Sequence, residues 1–140
     1  AVAPSIFDYN SVLRACAKKG EGRRAELWLS RMSSMCEAPD LLSWNSAIAA
    51  HSRAGDAQAA KLRLQALTAD FDVSPDAASY ASTAAACARA GELDEAEQLL
   101  ARAEAAGMRA DAAAYDSLLR RVAAAGDASR ASRLLACMTA

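Results

Sequence analysis

Cys16, His51 and Cys87 stand 35 and 36 residues apart. Thiols and an imidazole at a regular interval are the side chains of a metal site. The interval itself argues against one. Residues on successive helical layers are about 10 Å apart, whereas a zinc ligand sits about 2 Å from its ion. Val122 completes the column and offers no ligand atom. Packed small side chains are therefore expected there, and no metal. Cys36 and Cys137 form no C-x-x-C motif, and four scattered thiols suit a reducing compartment. His51 is the only histidine. With no acid and nucleophile in register, a hydrolytic triad is not expected. The acids of "GELDEAE" (91–97) read as a solvated helix face rather than as paired catalytic carboxylates. The glycines are single, so no phosphate-cradling loop is formed. The sequence predicts no catalytic residue and no cofactor.

The column belongs to a larger pattern. Tyr9, Trp44, Tyr80 and Tyr115 are spaced 35, 36 and 35, and so are Gly20, Gly55, Gly91 and Gly126. Ala25, Ala60, Ala96 and Ala131 share a register, as do Leu29, Leu64, Leu100 and Leu135. An acid follows each of these glycines: Glu21, Asp56, Glu92 and Asp127. A fixed period of this length means stacked supersecondary units.

Each unit reads as two helices. The first is expected to begin near the aromatic, after an N-cap at Asp8, Ser43 or Ser79, with Ala114 in the fourth row. It ends at the glycine, which tolerates the left-handed conformation. The following acid is expected in the first turn of the second helix, where the macrodipole favours negative charge. Pro39-Asp40 and Pro75-Asp76 close the first two rows, since proline blocks continuation. The spacing of 36 predicts one extra residue in the second unit, in the connector "TADFDVSPD" (68–76). With 39 alanines and three prolines, the bias is strongly helical. Such units cannot bury an apolar face alone. The expected fold is all-α, a right-handed α-solenoid of stacked two-helix repeats. It forms one array over residues 1–140, with units 6–40, 41–76 and 77–111 and a partial unit 112–140.

The segments "DYNSVLRACAKKG" (8–20), "SWNSAIAAHSRAG" (43–55) and "GELDEAEQLLARAEAAGMRAD" (91–111) resemble the pentatricopeptide repeat, with units of the P type. The resemblance covers Ile6 to Ala140 and is closer than that to the tetratricopeptide repeat. It implies selective binding of single-stranded RNA, one base per unit. The fifth and last residues of a unit would read the base: Asn10 with Asp40, Asn45 with Asp76, and Ala81 with Asp111. An asparagine amide offers both donor and acceptor to a splayed base edge. By the family's pattern, Asn with Asp implies uridine, then cytidine. Ala81 cannot read an edge, and Asp116 is an unusual reader in the fourth unit. The second position of each unit would sandwich the base, here Phe7, Leu42, Ala78 and Ala113. The thirteenth would meet phosphate: Lys18, Arg53 and Arg89, with Ala124 in the fourth.

The net charge of −1 is not that of a strongly basic nucleic-acid or membrane-surface protein. No run of 18 apolar residues is free of charge, so no membrane span is expected. The chain begins at Ala1, so any targeting segment is not available to read. The resemblance implies a chloroplast or mitochondrial setting. Two functions remain open. One is an RNA-binding module preferring U-rich or other pyrimidine runs. The other is a protein-binding scaffold subunit of a larger organellar complex that has lost the reading residues. Ala81, Asp116 and a third unit with 3 basic against 6 acidic residues favour the scaffold.

Overall fold

The computed structural model of the chain describes residues 2–70 and 72–139. The array limits Ala1 and Ala140, and Phe71 in the connector with the expected extra residue, lie outside them. Among the described residues there are eight helices and no strand. They are α1 (Ile6–Lys19), α2 (Gly22–Ser34), α3 (Leu41–Ala54), α4 (Ala57–Ala69), α5 (Ala77–Arg89), α6 (Leu93–Ala105), α7 (Ala112–Ala124) and α8 (Ala128–Thr139). The α4–α5 connector, 70–76, is one residue longer than the connectors 35–40 and 106–111.

The helix starts differ from the sequence expectation. The N-caps are Ser5, Asp40, Asp76 and Asp111, three residues before the expected ones. Asp8, Ser43 and Ser79 stand one turn inside, as the reciprocal partners of a capping box. Ser43 N–H donates to Asp40 Oδ1 at 3.0 Å, and Asp40 N–H donates to Ser43 Oγ at 3.1 Å. The apolar pattern begins at the aromatic, but the helix must start a turn earlier for its free N–H groups to reach a carboxylate.

The acids after the glycines are also displaced from expectation. They stand before the second helices rather than in their first turns. Asp56 accepts from Ala59 N–H and Asp127 from Arg130 N–H, both at 2.9 Å. Glu21 and Glu92 make no such bond and pair with Arg24 and Lys61 instead. Each acid's backbone N–H closes the end of the first helix. Glu21 bonds Cys16 C=O, Asp56 bonds His51, Glu92 bonds Cys87 and Asp127 bonds Val122, at 2.9–3.2 Å. That closure needs the preceding residue at positive φ, which the four glycines supply at 72–84°.

The first helices α1, α3, α5 and α7 stack in sequence, and α2, α4 and α6 each pack on their own first helix and on the next one. The result is a two-layer α-solenoid. Ala25, Ala60 and Ala96 are fully buried, and Leu29, Leu64 and Leu100 are buried with them, the first pair in one apolar cluster and the other two pairs in a second. The fourth row breaks this register. Ala131 is only partly buried and Leu135 is 53% exposed, while Leu134 takes the buried place. Among the described residues the backbone of α8 packs only on α7, and α6 reaches it through ion pairs to Arg130 and Arg133.

The Cys16–His51–Cys87–Val122 column is buried. His51 Nε2 is 2.7 Å from Glu26 Oε1, which also pairs with Arg63 at 3.1 Å. The imidazole packs against Gly22. A Cβ built there would be 2.9 Å from the ring's Cε1 and closer still to Nδ1. Gly22→Ala should therefore lower stability by about 1–3 kcal/mol through overpacking. Chemical denaturation of Gly22→Ala, His51→Ala and the double variant would give a coupling energy well away from zero. Additive losses would refute the contact's importance.

Cys36 follows α2 at φ 60°, the one positive-φ residue other than glycine among those described. Gly107 holds the equivalent place after α6, at φ 81°. Glu37 N–H and Met108 N–H close these two ends onto Met32 and Ala103 C=O. A left-handed residue with a Cβ costs about 1–2 kcal/mol. Cys36→Gly should raise the unfolding free energy by about 1 kcal/mol and Gly107→Ala should lower it by a similar amount. Denaturant midpoints test both, and a less stable Cys36→Gly chain would contradict the argument.

Candidate nucleic-acid interface

The first helices line an open groove of about 900 Å³. Lys18, Arg53 and Arg89, near the C-terminal ends of α1, α3 and α5, contribute one edge together with Arg14. Asn45 and Asp111, at the opening ends of α3 and α7, contribute the other. Small residues such as Ser46, Ala49, Ala81 and Ala85 complete the wall. Asn10, Asp40, Asp76, Phe7 and Leu42 do not line this hollow. Phe7 and Leu42 are 79% and 44% exposed. Asp116 lines a separate shallow depression with Leu119, Arg120 and Ala123.

Asparagine and aspartate meet at two junctions. Asn10 Nδ2 donates to Asp40 Oδ1 at 3.2 Å, and Asn45 Nδ2 to Asp76 Oδ1 at 3.0 Å. The aspartate of each pair is also the cap of the next first helix. The serine one turn inside joins them: Ser43 Oγ donates to Asn10 Oδ1 and Ser79 Oγ to Asn45 Oδ1, each at 2.6 Å. Asn10 is 5% exposed and Asn45 more open. At the third junction Ala81 and Ala114 replace asparagine and serine, and Asp111 bonds only Ala114 N–H, at 3.0 Å.

Burial pushes the carboxyls of Asp40 and Asp76 up, but the hydrogen bonds from serine and asparagine outweigh it and hold both below the usual carboxylate range. Each is therefore a fixed negative charge at a helix N-terminus, where the macrodipole favours it.

Four cations on the second helices, Lys61, Arg63, Arg130 and Arg133, are paired across units, Arg24 pairs with Glu21 of its own unit, and Arg23, Arg31 and Arg102 meet no carboxylate among the described residues. Arg63 meets Glu26, Lys61 meets Glu92 and Glu95, and Arg130 meets Asp94 and Glu97. Four of the six acids of the third unit, Glu92, Asp94, Glu95 and Glu97, are thus matched by bases of its neighbours. Among the described residues, Lys18, Arg53 and Arg89 pair with no carboxylate. Arg89 is held across the groove wall by Ser52 Oγ at 2.8 Å.

Cys87 Sγ and the carboxylates of Glu92 and Glu95 lie within 4.8 Å of one another. Lys61 Nζ already sits between the two carboxylates, at 2.7 and 3.0 Å. Burial, against the pull of Lys61 and with the help of both glutamates, pushes the Cys87 thiol up to about 11. The cluster holds its own cation and a protonated thiol.

Sequence reasoning passed over Arg14 and took Ser43 and Ser79 for N-caps rather than for partners of the asparagines. Arg14 stands four residues before Lys18 on one helix face, a spacing that was readable. The serines follow their aspartates by three, the capping-box interval.

The family model described as PPR repeat matches residues 7–36 and 79–108. No curated protein matches the chain. Among solved structures, the chain is similar to the pentatricopeptide repeat protein PPR10 from maize, with 24% identity, a TM-score of 0.87, and coverage of 98% of this chain and 20% of that one. It is similar to PPR10 in complex with an 18-nt psaJ RNA element, at 24% identity and a TM-score of 0.85, over 99% of this chain and 20% of that one. It is also similar to the PPR domain of Arabidopsis thaliana protein-only RNase P 1 in complex with tRNA, at 18% identity and a TM-score of 0.79, over 96% and 71%. At these identities the likeness is one of fold. The chain spans about a fifth of the length of PPR10.

The lowered carboxyls set a pH dependence. Their stabilisation is present above the unfolded value, near 3.8, and is lost as pH falls through the lower folded values. Stability should hold down to about pH 4 and decline below it. Asp40→Asn/Asp76→Asn should be less stable at neutral pH and show a flatter acid limb. Parallel acid limbs in denaturation curves of the two chains would rule this out.

Proposed function

Because the chain carries pentatricopeptide repeats, we propose that its groove binds single-stranded RNA and prefers uridine, or pyrimidines generally, at its first two units. The observation that carries this reading is a track of cations in the groove wall. Lys18, Arg53 and Arg89 hold one register on three successive first helices, line the groove and have no carboxylate partner among the described residues. Those cations would meet phosphate. Asn10 with Asp40 and Asn45 with Asp76 would read two adjacent bases, and Asp111, beside Ala81, would contribute little. Each asparagine keeps one amide hydrogen and one carbonyl lone pair beyond its internal bonds. Phe7 and Leu42 are open to base stacking, which on a good platform contributes about 1–3 kcal/mol per base. Ala78, Ala81 and Ala113 offer little contact, so the second half binds weakly. The chain acts as a binding module rather than an enzyme, and the resemblance suggests chloroplast or mitochondrial RNA as its setting.

A second reading is favoured by one observation. The third junction has lost asparagine and serine together, leaving an alanine-lined wall. In that reading the groove seats a protein subunit of a larger organellar complex.

Fluorescence anisotropy with labelled U-rich and A-rich strands separates the two. Tighter binding to U-rich RNA, lost in Asn10→Ala/Asn45→Ala, is expected. Removing Lys18, Arg53 and Arg89 together should lower the slope of log affinity against log salt by about 2, at about 0.7 per phosphate contact on a single strand. Sequence-blind or absent binding at low salt would sink the RNA reading.

A further inference from the structure

We propose that Ser43 and Ser79 are positioning residues, whose hydroxyls hold the asparagine amide of the preceding unit in one orientation and so fix which base edge it accepts. The consequence for bases rests on the RNA reading above. The geometry does not.

The two ends of each amide face different partners. Asn10 Oδ1 accepts from Ser43 Oγ at 2.6 Å, while Nδ2 faces the Asp40 carboxylate at 3.2 Å. Asn45 repeats this with Ser79 at 2.6 Å and Asp76 at 3.0 Å. A half-turn of the amide would bring its carbonyl oxygen against a carboxylate. Each serine has one hydroxyl hydrogen, and the nearest acceptor is the asparagine oxygen. The aspartate Oδ1 is further, at 2.8 and 3.0 Å, and already receives the serine N–H and the asparagine amide.

The chain contains its own control. At the third junction Asp111 caps α7 through Ala114 N–H with no hydroxyl present. Capping therefore does not require the serine. The hydroxyl occurs at the two junctions with an asparagine to hold, and is missing where Ala81 stands in its place. A fixed amide presents its donor and acceptor in a fixed order. Uracil and cytosine carry opposite donor–acceptor orders at N3 and the exocyclic group, so a fixed amide separates them and a free one serves both.

The experiment compares the full chain with Ser43→Ala/Ser79→Ala and Ser43→Thr/Ser79→Thr, using strands that differ only in U or C opposite the first two units. Folding is checked by circular dichroism. We expect the alanine chain to lose about tenfold in U-over-C preference, the net value of roughly one hydrogen bond, and the threonine chain to keep it. Should the double alanine chain not fold, Ser43→Ala and Ser79→Ala are tested singly against strands changed at one position. An unchanged U-over-C ratio in a folded alanine chain overturns the proposal. Should the parent chain show no base preference, the RNA reading falls, and the positioning claim is decided without RNA. Side-chain amide resonances of Asn10 and Asn45 that exchange faster in the alanine chain support it, and unchanged exchange overturns it.

Discussion

A helix begins with backbone N–H groups that have no partner inside it, and in three of the four first helices an aspartate side chain supplies one. In two of those the same carboxylate receives an asparagine from the preceding unit. One side chain thus closes a helix, ties two layers together and orients the asparagine amide of the unit before it. Removing the charge by protonation would weaken all three at once. This is why the fold and the proposed reading positions share one acid sensitivity rather than having separate ones.

The second constraint is steric. Ala25, Ala60 and Ala96 are fully buried and bring nothing larger than a methyl group into the packing, and Gly22 leaves room for the His51 ring. Side chains on the second helices then reach across to form ion pairs. Exposed pairs of this kind contribute about 0–1 kcal/mol each, so they are not what holds the array together. Their effect is on distribution. By matching Glu92, Asp94, Glu95 and Glu97 to Lys61 and Arg130, they take negative potential off the outer face of the third unit.

The period, the helical class and the glycine positions were all legible, because each follows from one residue type at one interval. The helix starts were not. Asp8, Ser43 and Ser79 are good caps by type, and only the geometry shows them as partners one turn inside. Leu135 shares its column with three buried leucines, but burial depends on what packs above it, and there Leu134 is covered instead. The His51–Gly22 contact and the bridges from Lys61 join residues on different units, so no local pattern announces them. Asn10 and Asn45 occupy one register, yet only Asn45 lines the groove. A repeat predicts equivalent backbone positions and leaves side-chain exposure to the neighbours.

The third junction shows which residue of the network marks a reading site. Asp111 persists there although Ala81 has no polar atom to orient. Its carboxylate still has a task, since α7 needs a cap and Ala114 N–H supplies the bond. An aspartate at the end of a unit is therefore kept by the helix that follows it, whether or not the unit before it can contact a base. Asparagine has no such second task at its position, and the serine's share of the capping box is dispensed with at α7, where Ala114 stands. Their joint absence removes the hydrogen-bonding network while the stacking of α5 on α7 is retained. The array can in this way lose recognition one unit at a time without losing its fold, and the informative residues are those whose removal the helices do not register.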